Sequence, residues 1–236
     1  HYPLRRQRQM CIRDRMYTSN LVTREEKNRL LGFIPMFISG VLFFGIFQQQ
    51  FTVMTIYSDV RLDRHVFGWE VPPSLVQSIN PIFIVIFSAV FATMWTKLGD
   101  RQWSTPVKFG VANIVIGISL FFFLPYSGAA ANSTPMYVII LILFLFTMAE
   151  LLLSPVGNAL ATKVAPVAFP SRMMAVWMMA VAMGTSLAGS LASFYNPDDA
   201  GAENAFFISL GVVSIVLGVI LLVLSRWVVK KFSTFR

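Results

Sequence analysis

Six long apolar runs, separated by short polar segments, make up most of the chain. Each run is long enough to supply the ~20 residues that an α-helix needs to cross the hydrocarbon core of a bilayer. The pattern therefore predicts an all-α membrane protein with six transmembrane helices. The predicted spans cover about residues 30–57, 75–96, 105–124, 136–161, 172–195 and 205–229.

The segment before the first span divides into two parts. Residues 1–15 share no pattern with the rest, and their string MCIRDR resembles translated adapter sequence, so we expect them to be non-native. A basic arm that binds nucleic acid is the alternative. In the lead-in, residues 16–29, Thr23 followed by Glu26 forms a capping box and predicts a helix start. Because the sequence begins with His1 rather than Met, we expect a fragment of a longer protein.

The fourth predicted span contains Glu150, the one ionisable residue deep inside an apolar run. An ionised carboxylate at that depth costs several kcal/mol, and by default it marks a functional site. Helical spacing places Thr147, Ser154 and Gly157 on the same face as Glu150. Pro155 removes a backbone donor, which favours a loosened turn beside the acid. The alternative is an acid that only forms hydrogen bonds to a neighbouring helix.

Polar residues also form stripes in the first two spans. Gln48, Thr52 and Thr55 share one face near the end of the first span, so we expect them to face protein or water rather than lipid. Gln77 and Asn80 begin a second stripe, which again lies beside a proline.

The fifth span carries a ridge of small residues at four-residue spacing. Its members are Ala180, Gly184, Ala188 and Ala192. Such a ridge lets two membrane helices pack closely. Trp177 lies one turn before the ridge, on the same side of the helix.

Composition and charge support the membrane assignment and predict an orientation. The chain is 56% hydrophobic and 13% charged, whereas a soluble domain averages about 25% charged residues. Of the 19 Lys and Arg residues, 17 lie on the side of the predicted membrane that holds both termini. The loops on the other side hold only Arg61 and Arg64, together with six acids. The positive-inside rule therefore predicts cytoplasmic termini, and the net charge indicates orientation rather than a nucleic-acid partner.

The sequence lacks the usual signatures of an enzyme. The spans contain no Ser-His-Asp set, metal-ligand cluster, Gly-rich phosphate loop or pair of catalytic carboxylates. We therefore expect no catalytic activity, no cofactor and no metal. The single cysteine, Cys11, excludes an internal disulfide framework.

Five segments, in unbroken order, resemble the proton-dependent oligopeptide transporters of the major facilitator superfamily. They are FQQQ at 47–50, WEVPPSLVQSINPIFI at 69–84, STPVKF at 104–109, MAELLLSPVGNALATKVAP at 148–166 and SRMMAVWMMAVAMG at 171–184. The resemblance runs from about residue 23 to the end of the chain. It implies the C-terminal half of that fold, helices seven to twelve of twelve.

The resemblance also implies a peptide-binding pocket. Glu150 matches an acid that helps to bind the amino terminus of the peptide, opposite a lysine of the N-terminal half. Asn80 and Ser154 match positions that line the same pocket, and Trp177 matches an aromatic pocket wall. Together with Gln48 and Phe44, these are the candidate substrate-binding residues.

Gln48 and Phe44 depart from the family pattern. Gln48 stands where the family has a second acid, which pairs with an arginine of the N-terminal half and takes part in proton coupling. Phe44 replaces a tryptophan that is usual one turn earlier. A glutamine keeps the hydrogen bonds of the acid but cannot exchange a proton, so proton coupling at this position is open.

Three functions fit these observations. The first is the C-terminal half of a proton-coupled di- or tripeptide symporter in the plasma or inner membrane, which works by alternating access around a midplane site. Its partners would be peptides, protons, the lipid bilayer and the missing N-terminal half, but not nucleic acid. The second is a facilitator-superfamily carrier of another substrate, such as nitrate or a drug. The third is a non-transporting membrane scaffold.

Overall fold

Helices account for most of the computed structural model, which describes residues 22–66 and 68–232; residues 1–15 and most of the lead-in before Thr23 lie outside the described part. The α-helices are α1 (Arg24–Phe47), α2 (Val53–Val60), α3 (Pro73–Gln77), α4 (Ile79–Leu98), α5 (Thr105–Leu120), α6 (Met136–Val164), α7 (Pro170–Ala192) and α8 (Ala200–Phe232). Short 3-10 helices occupy Gln48–Phe51, Gly99–Arg101 and Phe121–Tyr126. A small antiparallel hairpin pairs β1 (His65–Val66) with β2 (Trp69–Glu70).

Six helical stretches in the described residues are long and apolar enough to cross a membrane, in agreement with the predicted six-helix fold. They are Arg24–Val60, Leu75–Arg101, Thr105–Tyr126, Met136–Val164, Ser171–Ala192 and Ala200–Phe232.

The first span is not the continuous helix that its apolar pattern predicts. It breaks at the 3-10 turn Gln48–Phe51, and Thr52 after it has φ −116° and ψ −83°, outside the helical region. Side chains replace part of the lost hydrogen bonding. Gln49 Nε2 donates to the carbonyl of Gly45 at 3.2 Å and to the carbonyl of Ala188 in α7 at 3.1 Å. The break is thereby tied to a neighbouring helix.

The predicted capping box is confirmed at the start of α1. The Thr23 hydroxyl accepts a hydrogen bond from the Glu26 amide at 3.3 Å, and Glu26 Oε2 accepts one from the Thr23 amide at 2.8 Å. The other carboxylate oxygen of Glu26 accepts a hydrogen bond from the Val167 amide at 2.9 Å. Buried Glu26 therefore links the start of α1 to the loop between α6 and α7.

Small residues allow two pairs of helices to pack closely. A β-carbon added to Gly184 in α7 would lie 2.6 Å from Cβ of Phe44 in α1, so the predicted small-residue ridge does allow close contact. On α5, a β-carbon on Gly117 would lie 2.8 Å from the carbonyl oxygen of Gly211 in α8. Any larger side chain at these positions would push the helices apart.

Helices α4 and α7 are far less buried than α1. Only 11% of the most apolar stretch of the α4 span is buried, compared with 56% of that in the first span. The exposed apolar residues of α4 include Ile82, Val85, Ile86 and Val90. Much of the apolar surface of α4 is therefore not covered by other helices within the described residues.

An ion pair lies buried where α2 ends and α8 begins. Arg61 Nη2 lies 3.0 Å from Glu203 Oε2, and the Glu203 side chain has 0% exposure. The loop pattern predicts both residues as loop charges, whereas the structure buries them together. The Glu203 carboxylate also accepts hydrogen bonds from the Tyr195 hydroxyl and the Gly128 amide, each at 2.9 Å. Arg61 donates in addition to the carbonyls of Ala129 and Pro197.

Tyr195 supports this ion pair as a neutral phenol. Burial, followed by the nearby Glu203 carboxylate, raises the pKa of the Tyr195 hydroxyl well above its usual range. The hydroxyl therefore keeps its proton at physiological pH and donates a hydrogen bond to Glu203.

Candidate substrate-binding site

Asn80 joins three elements at the polar stripes. Its Nδ2 donates to Gln50 Oε1 in the 3-10 turn at 2.9 Å, and its Oδ1 accepts a hydrogen bond from Thr147 Oγ1 in α6 at 2.6 Å. The residue is 3% exposed, so both bonds are formed away from solvent. A buried amide with two side-chain partners positions the broken first span, α4 and α6 relative to one another.

Glu150 follows Thr147 by one helical turn and is only half-buried. Its Oε2 and the Ser154 hydroxyl are both buried, and neither has a hydrogen-bond partner among the described residues. The two residues are four apart on α6 and so share one face. A buried polar atom without a partner costs about 1–3 kcal/mol, and more for a charged group. This face of α6 is therefore suited to a polar or cationic group supplied from elsewhere.

Among the described residues no ion pair to Glu150 is found, whereas Asp59, Glu70 and Glu203 each lie beside an arginine. Glu203, by contrast, is a buried structural carboxylate, and it contacts an arginine, a phenol and a backbone amide. Glu150 lacks such a shell, which argues against a purely structural acid.

Gln48 lies beside α7 rather than beside Asn80. Its Nε2 donates to the Thr185 hydroxyl at 3.1 Å, and that hydroxyl donates to the carbonyl of Val181 at 3.0 Å. Gln48 and Gln50 thus bind different helices, since Gln50 bonds to Asn80 in α4. The sequence pattern selects Gln48 and overlooks Gln50, because the face assignment assumes an unbroken α-helix with 100° per residue. The tighter 3-10 turn changes which glutamine faces α4.

Trp177 and Phe44 lie in one aromatic cluster between helices. The Trp177 ring is 6.1 Å from Phe44 and 5.8 Å from Phe109, centroid to centroid, and both contacts are edge-to-face. A β-carbon on Gly157 of α6 would lie only 2.1 Å from the Trp177 ring, so that glycine makes room for the indole. Trp177 is 1% exposed. The ring therefore braces α1, α5 and α6 against α7.

The six candidate residues fall into four separate groups. They are Asn80 with Gln50 and Thr147, Glu150 with Ser154, Gln48 with Thr185, and Phe44 with Trp177. Among the described residues no hydrogen bond joins Glu150 to Gln48, Asn80 or Trp177. Their roles in substrate binding stay predictions.

Comparison with known proteins identifies the family. The sequence model of the POT family matches residues 6–208. The chain belongs to the POT family. The matched range includes part of residues 1–15, whose non-native origin stays a prediction.

Two curated relatives illustrate the POT similarity. The uncharacterized transporter YclF of Bacillus subtilis (strain 168) is 39% identical over 218 residues, which are 92% of this chain and 43% of that protein. A protein named Di-/tripeptide transporter from Lactococcus lactis subsp. cremoris is 35% identical over 229 residues, 94% of this chain and 45% of that protein. The chain thus spans just under half the length of these POT relatives.

Solved POT structures agree with the fold. The structure of a peptide transporter POT mutant in complex with alafosfalin matches this chain with a TM-score of 0.86 at 35% identity. The match covers 94% of this chain and 45% of the solved chain. A POT family transporter in complex with 5-aminolevulinic acid has a TM-score of 0.84 at 35% identity. The match covers 93% of this chain and 45% of that transporter. The predicted fold, a six-helix half of a POT transporter in a membrane, is confirmed.

Proposed function

We propose that this chain is the C-terminal half of a proton-coupled di- or tripeptide transporter. The observation that carries the proposal is that Glu150 Oε2 and the Ser154 hydroxyl on α6 are buried without hydrogen-bond partners among the described residues, in a chain that belongs to the POT family. The name of the lactococcal relative supports peptides as substrates. A scaffold would gain nothing from a membrane carboxylate whose partners are missing.

In this proposal Glu150 binds the ammonium group of the peptide, and the Ser154 hydroxyl adds a hydrogen bond. Gln48 offers an amide group from the first span, and Asn80, through its bonds to Gln50 and Thr147, holds α4 against the first span and α6. Trp177 and Phe44 hold the wall that α1 and α7 form. The low burial of α4 and α7 leaves surface on which an N-terminal half could pack. Transport would then follow rocking of the two halves around the site.

The substrate class is tested by uptake into proteoliposomes that hold the chain joined to its N-terminal half. Labelled dipeptide is the substrate, and unlabelled dipeptide, tripeptide, nitrate or a drug-like cation is the competitor. We expect competition by the peptides alone, and no uptake by the chain without its partner half. Competition by nitrate or the drug, without competition by peptides, would favour another facilitator-superfamily carrier.

We further propose that both termini are cytoplasmic, and labelling of single cysteines tests this. In a Cys11→Ser background, Asp100→Cys and Val167→Cys should react with a membrane-impermeant maleimide only after the membrane is opened. Val167 is 90% exposed, so burial would not mask it. Asp198→Cys, an exposed control on the opposite side, should react in intact cells. Reaction of position 100 or 167 from outside would reverse the orientation.

Gln48→Glu should make peptide uptake depend more steeply on the external proton concentration. The new carboxylate can accept a hydrogen bond from the Thr185 hydroxyl, to which Gln48 now donates one. Unlike an amide, it can also bind and release a proton. The measurement is initial uptake of dipeptide over a series of external pH values. Gln48→Met, which has similar size and no titratable group, is the control. Identical pH profiles for Gln48→Glu and Gln48→Met would contradict a proton-linked role for this position.

A further inference from the structure

A polar groove separates the first turns of α1 from the last turns of α8. Its volume is about 390 Å³, and it is lined by Glu25 and Asn28 of α1 and by Trp227, Lys230 and Lys231 of α8. Asn28 lies three positions after Glu25, and Lys230 and Lys231 lie three and four positions after Trp227, so each helix presents these residues on one face. The groove lies away from the Glu150 face of α6, and the proposed transport function does not use it.

Close contact between the two helices gives the groove a fixed floor. A β-carbon added to Gly32 in α1 would lie 3.1 Å from Cβ of Lys231 and 3.0 Å from the Phe232 ring. The Lys231 ammonium then lies 3.5 Å from Asn28 Oδ1 and 5.7 Å from the centroid of the Trp227 ring. Lys231 is thus held in place, while Lys230 is exposed beside it.

An apolar ridge on α8 leads directly to this groove. The ridge consists of exposed residues at helical spacing: Val216, Val219, Ile220 and Val223, followed by Trp227. Val223 is 76% exposed. In a membrane such a ridge contacts acyl chains, and a tryptophan followed by lysines is typical of the boundary between hydrocarbon and headgroups. The groove therefore lies at the depth of lipid headgroups.

We propose that this groove binds the headgroup of an aminophospholipid. Lys230 and Lys231 bind the phosphate, Glu25 binds the primary ammonium, and the acyl chains lie along the ridge of α8. Basic pockets between membrane helices bind lipid phosphates. Glu25 adds selectivity, because a carboxylate in the same groove repels a purely anionic headgroup and attracts one that carries an ammonium group.

Native mass spectrometry of the full chain in detergent tests the proposal. Phosphatidylethanolamine, phosphatidylglycerol or phosphatidylcholine is added, and the fraction of chain that retains one lipid is measured. We expect phosphatidylethanolamine to be retained most strongly. Lys230→Gln with Lys231→Gln should weaken its retention about tenfold or more, because two cations near the phosphate are lost. Lys163→Gln with Arg172→Gln removes the same charge elsewhere and should leave retention unchanged.

Glu25→Gln separates this proposal from a general attraction to basic residues. It leaves the capping box of Thr23 and Glu26 intact, so the fold should be unaffected. We expect it to abolish the preference for phosphatidylethanolamine over phosphatidylglycerol while retaining both lipids. The proposal would be overturned if Glu25→Gln still preferred phosphatidylethanolamine, or if the lysine double variant retained phosphatidylethanolamine as strongly as the wild type. Displacement of the lipid by millimolar inorganic phosphate would instead indicate a site for soluble anions and would also overturn it.

Discussion

Replacement of Glu150 by glutamine is expected to abolish peptide uptake by the restored full-length protein without unfolding it. The amide has almost the same shape, and Glu150 has no ion pair among the described residues that the substitution could break. The proposed peptide ammonium, in contrast, loses its charged partner. Breaking a buried ion pair costs about 3–5 kcal/mol, which corresponds to at least a hundredfold loss of affinity.

Dipeptide uptake at matched membrane expression is the measurement for Glu150→Gln. Asp198→Asn, which neutralises an exposed acid outside the spans, is the matched control and should transport normally. A thermal unfolding curve in detergent shows whether the Glu150→Gln protein is folded. If it transports like the wild type, Glu150 is a structural residue and the proposed mechanism fails.

The second large effect concerns stability. Glu203→Ala should destabilise the protein by about 3–5 kcal/mol, because Arg61 would stay buried without its counter-charge. The Tyr195 hydroxyl and the Gly128 amide would lose their acceptor as well. The three segments that meet at this ion pair, after α2, before α6 and before α8, should then separate more easily.

Thermal unfolding of single and double variants tests the ion pair. Arg61→Met combined with Glu203→Met should be clearly more stable than Glu203→Ala, since apolar replacement of both partners is often tolerated. Glu70→Ala is the control. It breaks the 3.0 Å contact with Arg64, but Glu70 is 55% exposed, and such surface pairs contribute less than about 1 kcal/mol. Equal destabilisation by Glu203→Ala and Glu70→Ala would show that the buried ion pair contributes no more to stability than the exposed one.

Features that depend on local pattern are predictable from this sequence. The six spans follow from hydrophobic length, the start of α1 follows from Thr23 and Glu26, and close helix packing at Gly184 follows from the four-residue spacing of small residues. Each of these depends on residues within a few turns of one another. They need no knowledge of which helix packs on which.

The features that escape prediction depend on tertiary contacts. Arg61 and Glu203 are 142 positions apart, and nothing near either residue indicates that a loop charge will be buried. At the break in Gln48–Phe51 the Gln49 side chain also bonds to the carbonyl of Ala188 in α7, and only the fold reveals that acceptor. The polar stripe that contains Asn80 is predictable from the sequence. Gln50, the hydrogen-bond partner of Asn80, is not, because the prediction assumes an unbroken helix. The proposed role of Glu150 depends on a partner that the described residues do not supply.

Binding of dipeptides with free and with acetylated amino termini tests the central claim most directly. Affinities for both peptides are measured on the wild-type and Glu150→Gln proteins, each joined to its N-terminal half, as a double-mutant cycle. If Glu150 binds the peptide ammonium, acetylation should weaken binding by the wild type about a hundredfold and binding by Glu150→Gln hardly at all. Equal losses in both proteins would show that another group binds the ammonium and would contradict the account.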